Sequence, residues 1–261
     1  MKKISVVLPV LAPTPFLRAM TEFSIRTLRE HADSPFELVL VEAVDDYFDP
    51  NRVGWGRDPS LAPDKYLRFE QKRGCIREFN AGADASSGEF IVSTGNDVFV
   101  PPHWDTELLR CFEARRACGV ASLSALAPGA VIGPPEAQDA IVEGMYSPFM
   151  MYRREWRLDE AFVKIYADSD LIMRVYESGK RAFRSCRAHV HHLARMTSDR
   201  VDPGGHARDL ARDERLFYQR WGRSPLMMFG LIRYGQWAYG RELESLRNPI
   251  HLHYDPTRAE G

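Results

Sequence analysis

The sequence predicts an α/β domain in which helices cover both faces of a mostly parallel β-sheet. Short apolar, β-branched runs alternate with segments of helical period along most of the chain. With 261 residues, 44% of them hydrophobic, the chain is long enough to form one large packed domain. No internal repeat or low-complexity segment breaks the pattern. We therefore expect an α/β domain over residues 1–222 and a helical or irregular C-terminal extension over residues 223–261.

The predicted elements follow one another in the order expected of such a sheet. The run ISVVLPV at residues 4–10 predicts a buried strand. Residues 15–32 place apolar side chains, including Phe23, at near-helical spacing with Arg and Glu between them, which predicts an amphipathic helix. Further strands are predicted at residues 36–44, 65–71, 89–97, 143–156 and 180–192, further helices at residues 75–86, 103–118, 166–178 and 206–221, and a loop at residues 124–140.

Charge and cysteine content narrow the class of partners. The 35 Lys and Arg nearly balance the 36 Asp and Glu, so no strong field points to nucleic acid or an anionic membrane. From residue 181 onward the chain has 14 Arg and 9 acidic residues. This excess of positive charge suits an anionic ligand, but it also fits solvated helix faces. The four cysteines form no CxxC pair, which favours reduced thiols in a cytoplasmic protein.

The most apolar long segment lies near the C-terminus. No run of eighteen apolar residues occurs, so no transmembrane helix is expected. Residues 226–240 come nearest, but Arg233 and three glycines interrupt them. Packing against the domain or against a second copy in a homodimer is the favoured role, and a peripheral membrane contact is the alternative.

The segment STGNDVFVPPHW at residues 93–104 ends a buried strand with polar residues. Asn96 and Asp97 carry an amide and a carboxylate, and neither group is readily buried without partners. In open α/β sheets, ligands bind beyond the carboxyl ends of the strands, where loops and helix N-termini converge. We therefore expect both residues to lie at a ligand site.

Four sequence blocks carry a resemblance to a known family: GCIREFNAGADASSGEFIVSTGNDVFVPPHW, YADSDLIMRVYESG, VHHL and ERLFYQRWG. The most specific positions are Gly74, Asn80, Gly82, Ala85, Gly88, Glu89, Asp97 and Pro101. From Ile4 to about Gly222 the chain resembles the family 2 glycosyltransferases of the GT-A fold. The resemblance implies an inverting enzyme that uses a divalent cation to move a sugar from a UDP- or GDP-sugar to an acceptor hydroxyl.

The resemblance assigns the cation, Mn²⁺ or Mg²⁺, to Asp97. A divalent ion neutralises the charge that develops on the leaving diphosphate. Gly95 stands where the family's motif has its first aspartate, so weaker metal binding is expected. The family places a second ligand at the end of the strand AHVHHL, where His191 matches best and His192 next. The alternatives are that Asp97 only caps a turn and that the histidines are ordinary core or surface residues.

The general base is implied by the block YADSDLIMR. Asp168 matches the family's base, which removes the proton from the acceptor hydroxyl, and Asp170 matches a supporting residue that caps or braces the helix. Ala167 replaces the usual glutamate. The alternative is that both aspartates are ordinary residues of a helix N-terminus, favoured by the helix dipole.

The resemblance places the nucleotide over the first two strands. Phe79 replaces an arginine that is common before the family's asparagine, so one phosphate or base contact is expected to be missing. Glu42 is an acid at the end of an apolar strand and needs a polar partner there. The other positions would also suit residues with a purely structural role. The implied donor-binding residues are Pro9, Val10, Glu42, Asn80, Asn96 and Asp97.

The acceptor cannot be named from the sequence. Tyr146, Tyr152 and Trp156 are of the type that stacks on sugars, but core packing is the commoner use of such residues. Arginines within residues 153–157 suit an anionic acceptor or simple solvation. A glycan, a lipid-linked molecule, a small molecule and nucleic acid all remain open.

Two other functions also remain open. A noncatalytic nucleotide-sugar or glycan-binding relative would explain the departures at Gly95 and Ala167. A glycosyltransferase acting on nucleic acid would use the basic last third of the chain for docking.

Overall fold

The computed structural model describes residues 3–43, 61–70, 74–126, 141–144, 149–193, 196–202 and 204–222. Several predicted features lie outside these ranges. They are the C-terminal extension at residues 223–261 with its apolar segment 226–240, most of the loop predicted at residues 124–140, and Tyr146.

The described residues contain nine strands and six helices. The strands are β1 (Ile4–Val10), β2 (Glu37–Ala43), β3 (Lys65–Phe69), β4 (Phe90–Thr94), β5 (Val98–Phe99), β6 (Cys118–Leu126), β7 (Ile141–Glu143), β8 (Phe149–Arg153) and β9 (Arg181–His192). The helices are α1 (Pro15–Glu30), α2 (Cys75–Ala85), α3 (Trp104–Ala114), α4 (Ala167–Glu177), α5 (Met196–Val201) and α6 (Gly205–Trp221).

The strands form one mixed sheet in the order β3-β2-β1-β4-β8-β6-β9-β5, and β7 also pairs with β9. Six of the nine described strands, β1 to β4, β6 and β9, run in the same direction. β1 to β4 are mutually parallel, β8 is antiparallel to both β4 and β6, and β6 is parallel to β9. β9 therefore runs in the same direction as β1, β2 and β4. The last residues of these four strands lie at one edge of the sheet, which we call the carboxyl edge.

Helices cover both faces of the sheet, which confirms the predicted fold class. In β1, Val6 and Leu8 face one apolar core while Val7 faces the other, because alternate strand residues point to opposite faces. The first core includes side chains of α1 and α3, and the second includes side chains of α2, α4 and α6. Both faces of β1 are buried, as expected for a parallel strand between two helical layers.

One strand and one side chain differ from the sequence predictions. The helix predicted at residues 103–118 ends at Ala114, and residues 118–126 form β6, part of which was predicted as loop. β6 is rich in small and hydroxyl residues, which have weak strand propensity. It forms a strand because it pairs with β8 on one side and β9 on the other, and this tertiary pairing outweighs the local propensity. Phe23 is not a core residue: its side chain is 52% exposed and packs edge-on against Phe99. The short elements β5, β7 and α5 were not predicted.

A buried carboxylate joins three strands at the opposite edge of the sheet. Glu37 accepts hydrogen bonds from the Ser5 hydroxyl and from the Ser87 amide (2.7 Å) and hydroxyl (2.9 Å). It also forms an ion pair with Lys65 at 2.9 Å. Gly88 donates its amide to the Ser5 hydroxyl at 2.9 Å. Burial alone would raise the pKa of Glu37, but the bonds from Ser5, Lys65 and Ser87 outweigh burial and lower the pKa to about 2.

We predict that Glu37→Gln destabilises the protein at neutral pH and that the loss shrinks in acid. Because the folded pKa lies below the ordinary value of 4.5, the charge of Glu37 stabilises the fold above about pH 4.5 and this contribution disappears as the pH falls towards 2. This contribution of the Glu37 charge to the free energy of unfolding is on the order of 3 kcal/mol. Urea unfolding from pH 7 to pH 2.5 measures it, with Glu89→Gln at a half-exposed surface ion pair as the control. A difference between Glu37→Gln and wild type that stayed constant over this range would contradict the assignment.

Candidate active site

A carboxylate and an imidazole meet at the carboxyl edge. Asp97 follows β4, and His192 is the last residue of β9. Asp97 Oδ1 lies 3.6 Å from His192 Nε2, and their side chains are only 14% and 19% exposed. The Leu193 amide donates to the Asp97 carbonyl at 2.9 Å, so the backbones at the two strand ends are also joined.

The neighbouring His191 occupies a different position. It pairs in register with Phe99, and its side chain is exposed. Because successive strand residues face opposite sides, only one of these two histidines can face Asp97. In the described part of the chain that histidine is His192, whereas the family resemblance in the sequence favoured His191 over His192.

Three hydroxyl groups on α1 hold the segment that carries Asp97. Buried and partly exposed residues alternate from residue 96 to residue 100, so Asp97 lies on the more open side of the segment. Thr21, Ser24 and Thr27 are all buried on the helix face that contacts this segment. The contacts are Asn96 Nδ2 to Thr21 Oγ1 (2.9 Å), Ser24 Oγ to the Val98 carbonyl (2.7 Å) and the Val100 amide to Thr27 Oγ1 (3.3 Å).

Gly95 and Asp97 occupy adjoining space. A Cβ atom at position 95 would lie 2.7 Å from Asp97 Oδ1, which is closer than ordinary packing permits. The absence of a side chain at Gly95 therefore lets the Asp97 carboxylate take its present position. An aspartate at position 95 would require that carboxylate to move.

The two amide side chains implied in donor binding, Asn80 and Asn96, form hydrogen bonds with other parts of the protein. Asn96 is buried, and its oxygen accepts a hydrogen bond from the Thr197 hydroxyl at 3.1 Å while its nitrogen donates to α1. Asn80 is also buried, and it exchanges hydrogen bonds with the Leu158 backbone (2.9 and 3.2 Å) and donates to Glu160 (3.0 Å). Both side chains fix protein segments at the site.

The ends of β1 and β2 form a second polar region of the carboxyl edge. Val10 and Glu42 are paired in register, and Pro9 precedes them. Glu42 is buried and accepts a hydrogen bond from the Tyr66 hydroxyl. Burial and the contact with Glu42 raise the pKa of Tyr66, whose side chain is still 40% exposed. Tyr66 was not among the residues predicted for the site, although an aromatic residue on a short edge strand next to Glu42 could have indicated it.

Asp168 lies in the first turn of α4. α4 ends three residues before β9 begins and packs against it, so the helix runs back along the strand and its N-terminus faces the carboxyl edge. Asp168 is partly exposed and accepts a long hydrogen bond from the Ser169 hydroxyl at 3.5 Å. The positive end of the helix dipole favours a carboxylate at this position.

Asp170 has a different environment from Asp168. It is fully buried and accepts hydrogen bonds from Arg174 (2.8 Å), Arg220 (2.7 Å) and the Trp221 indole (3.1 Å). Two of these donors belong to α6. Asp170 therefore links the first turn of α4 to the end of α6.

The residues considered for the acceptor have mostly structural contacts. Tyr152 is a buried core residue, which agrees with the core alternative. Arg153 pairs with Glu89, and Arg157 pairs with Asp84 at 2.7 Å. These contacts give the arginines partners within the protein.

The comparison with protein families agrees with this geometry. Residues 61–158 match the model of glycosyl transferase family 2. The match covers less than half of the chain, so it shows that residues 61–158 are similar to this family. The match includes Asp97 and ends before Asp168 and β9. No curated protein sequence matches the chain significantly.

Solved structures share the fold of this chain. Residues 1–349 of TarS from S. aureus are 14% identical, with a TM-score of 0.57 over 88% of this chain and 74% of that chain. The same protein in complex with UDP is 13% identical, with a TM-score of 0.58 over 98% and 76%. The mannosyltransferase PcManGT from Pyrobaculum calidifontis, in complex with GDP-Man and Mn²⁺, is 16% identical, with a TM-score of 0.57 over 87% and 67%.

Together, the family match over residues 61–158 and these neighbours show a fold shared with glycosyltransferases. Among the helices that the structure describes, none has the length and apolar character to cross a bilayer.

We predict an energetic coupling between Thr21 and Asn96. Thr21→Val leaves the buried Asn96 amide nitrogen without its acceptor, which costs about 1–3 kcal/mol. Asn96→Leu removes the group that needs this acceptor, so the two substitutions together should cost less than the sum of their separate effects. Chemical denaturation of the two single variants and the double variant measures the coupling. Strictly additive effects would show that the contact does not hold the segment.

Proposed function

We propose that this protein transfers a sugar from a UDP- or GDP-sugar to an acceptor hydroxyl with inversion at the anomeric carbon, assisted by a divalent cation at Asp97 and His192. The observation that carries the proposal is the Asp97–His192 pair, 3.6 Å apart at the carboxyl edge of a fold whose residues 61–158 match glycosyl transferase family 2. The neighbours that bind UDP, and GDP-Man with Mn²⁺, support the class of donor and the ion.

The two side chains fit one shared cation. Two ligands about 2.1 Å from an octahedral ion lie roughly 3 Å apart, so a small movement from 3.6 Å is enough. No group of three or more metal-binding side chains occurs within the described ranges, which agrees with an ion that also takes oxygens from the donor diphosphate. A carboxylate with an imidazole suits Mn²⁺ better than Mg²⁺, because Mg²⁺ prefers oxygen ligands alone. We therefore propose Mn²⁺, and His192 in place of His191.

The protein's own groups have separate roles in the transfer. When bound, the cation supplies positive charge to the departing diphosphate. Asp168 accepts the proton of the acceptor hydroxyl as that oxygen bonds to the anomeric carbon, and the bond from this carbon to the diphosphate breaks with its electron pair leaving on the diphosphate.

The nucleotide is proposed to lie against the ends of β1 and β2. Pro9 and Val10 would contact it from β1, and Glu42 with Tyr66 would present polar groups to the base or ribose. Asn80 and Asn96 would position the site through the segments they hold. The four cysteines all lie in the described ranges and form no disulfide there, which fits the reducing cytoplasm where we propose that the enzyme works.

The two adjacent histidines allow a matched test of the metal site. His192→Ala should abolish the Mn²⁺-dependent part of UDP or GDP binding, because it removes one of two protein ligands. His191→Ala should leave this part unchanged, because the His191 side chain is exposed. Calorimetric titration of each variant with nucleotide, with Mn²⁺ and with chelator, measures the effect. The opposite ranking of the two variants would restore His191 as the ligand.

Substitution of the proposed base tests the chemistry. Asp168→Asn should lower kcat roughly 10²- to 10⁴-fold, because the amide cannot accept the proton. Donor binding with Mn²⁺ should remain near the wild-type value, since Asp168 is assigned to the acceptor. Release of nucleoside diphosphate and Mn²⁺-dependent donor binding are measured in parallel. A wild-type protein that bound donor but released no diphosphate with any acceptor class would be the noncatalytic binder instead.

A further inference from the structure

The last described helix contacts the segment that leads into the proposed base. α6 places Asp213, Phe217, Arg220 and Trp221 on one side, at the spacing of successive helical turns. All four contact the stretch from residue 159 to residue 170, which we call the base segment. α6 lies beyond the part of the chain that matches the family model.

Asp213 forms the first of two anchors. Its carboxylate is fully buried and accepts backbone amides from Val163 (3.1 and 3.2 Å), Lys164 (2.9 Å) and Ile165 (2.8 Å). Three consecutive amides on one carboxylate fix the backbone of this loop tightly. The next residue, Tyr166, has a left-handed backbone with φ of 63°, and α4 begins immediately after it.

Arg220 forms the second anchor. Its Nη1 donates to Asp159 at 2.6 Å and to Asp170 at 2.7 Å, so one guanidinium joins the two ends of the base segment. The Trp221 indole adds a hydrogen bond to Asp170. Between the anchors, Phe217 is fully buried, with its ring 6.0 Å from the ring of Tyr166.

These contacts determine where α4 starts. The direction of a side chain in the first turn depends on the backbone angles of the residues at the helix start, and here a strained left-handed residue lies between two fixed points. Asp168 itself has no bond from α6 among the described contacts. Any effect of α6 on it must pass through the base segment.

We propose that α6 is a positioning element for the general base, with Asp213 and Arg220 as positioning residues that set the orientation of Asp168. This rests on the proposed function, in which Asp168 is the base. Loss of either anchor would let the base segment relax, and an error of about 1 Å in a reacting group can lower the rate roughly 10²-fold. The donor site at β1, β2 and Asp97 would be unaffected.

The test separates positioning from general destabilisation. Asp213→Asn and Arg220→Met are compared with Arg208→Met. Arg208 also lies on α6, and its substitution breaks an exposed ion pair with Asp202, which precedes the helix. Steady-state kinetics gives kcat and the donor KM. Hydrogen–deuterium exchange of the base segment reports its backbone. Trp221→Phe, which removes only the indole donor, is a milder variant that keeps the test decisive if the others fail to fold.

The proposal expects kcat to fall at least tenfold in Asp213→Asn and Arg220→Met, with the donor KM within about twofold of wild type and faster exchange in the base segment. Trp221→Phe should show the same pattern to a smaller degree, and Arg208→Met none of it. Unchanged kcat in a folded variant, or a fall matched by equal loss of donor binding, would overturn it. If Asp168→Asn kept full activity, the assigned base would be wrong, whereas the exchange data would still show whether α6 holds the segment.

Discussion

The buried amide of Asn96 is the contact on which the rest of the site depends. It lies between hydroxyl groups of α1 and α5, and it fixes the strand end from which Asp97 projects. A buried amide with partners on both sides is costly to rearrange, because any movement leaves polar atoms unpaired. The carboxylate proposed to hold the cation is therefore oriented by the fold before any ligand arrives.

The fold uses the same kind of contact twice. Hydroxyl groups of α1 hold the end of β4 from one face of the sheet, and the carboxylate of Asp213 holds the loop before α4 from the other face. In each case a helix fixes the backbone next to a carboxylate with a proposed role, and among the described contacts that helix gives no hydrogen bond to the carboxylate itself. Preorganised groups of this kind cost little reorganisation during a reaction.

The general layout could be predicted from the sequence, because strand runs and helical period are local signals. β1, β9 and α4 were predicted to within about two residues, and the end of α4 followed from Gly179, whose φ is 82°. β6 was missed because its composition is weakly strand-like and its stability comes from two neighbouring strands. Local patterns do not record such pairing.

The details of the site depended on contacts that a sequence does not display. The choice between His191 and His192 is a question of strand register, in which a shift of one residue exchanges the two faces. Thr21 and Asp213 look like ordinary polar helix residues, and only the structure shows their partners 75 and 50 residues away. Asp97 could be singled out from the sequence because a carboxylate at the end of an apolar strand is itself a local anomaly.

The central claim, that Asp97 and His192 together bind the cation of the donor complex, is tested most directly by a crystal structure with Mn²⁺ and UDP or GDP, using the anomalous signal of manganese. The account predicts one strong peak within about 2.0–2.6 Å of both Asp97 Oδ1 and His192 Nε2, with diphosphate oxygens completing the coordination. A nucleotide bound at the carboxyl edge with manganese distant from both side chains would contradict it.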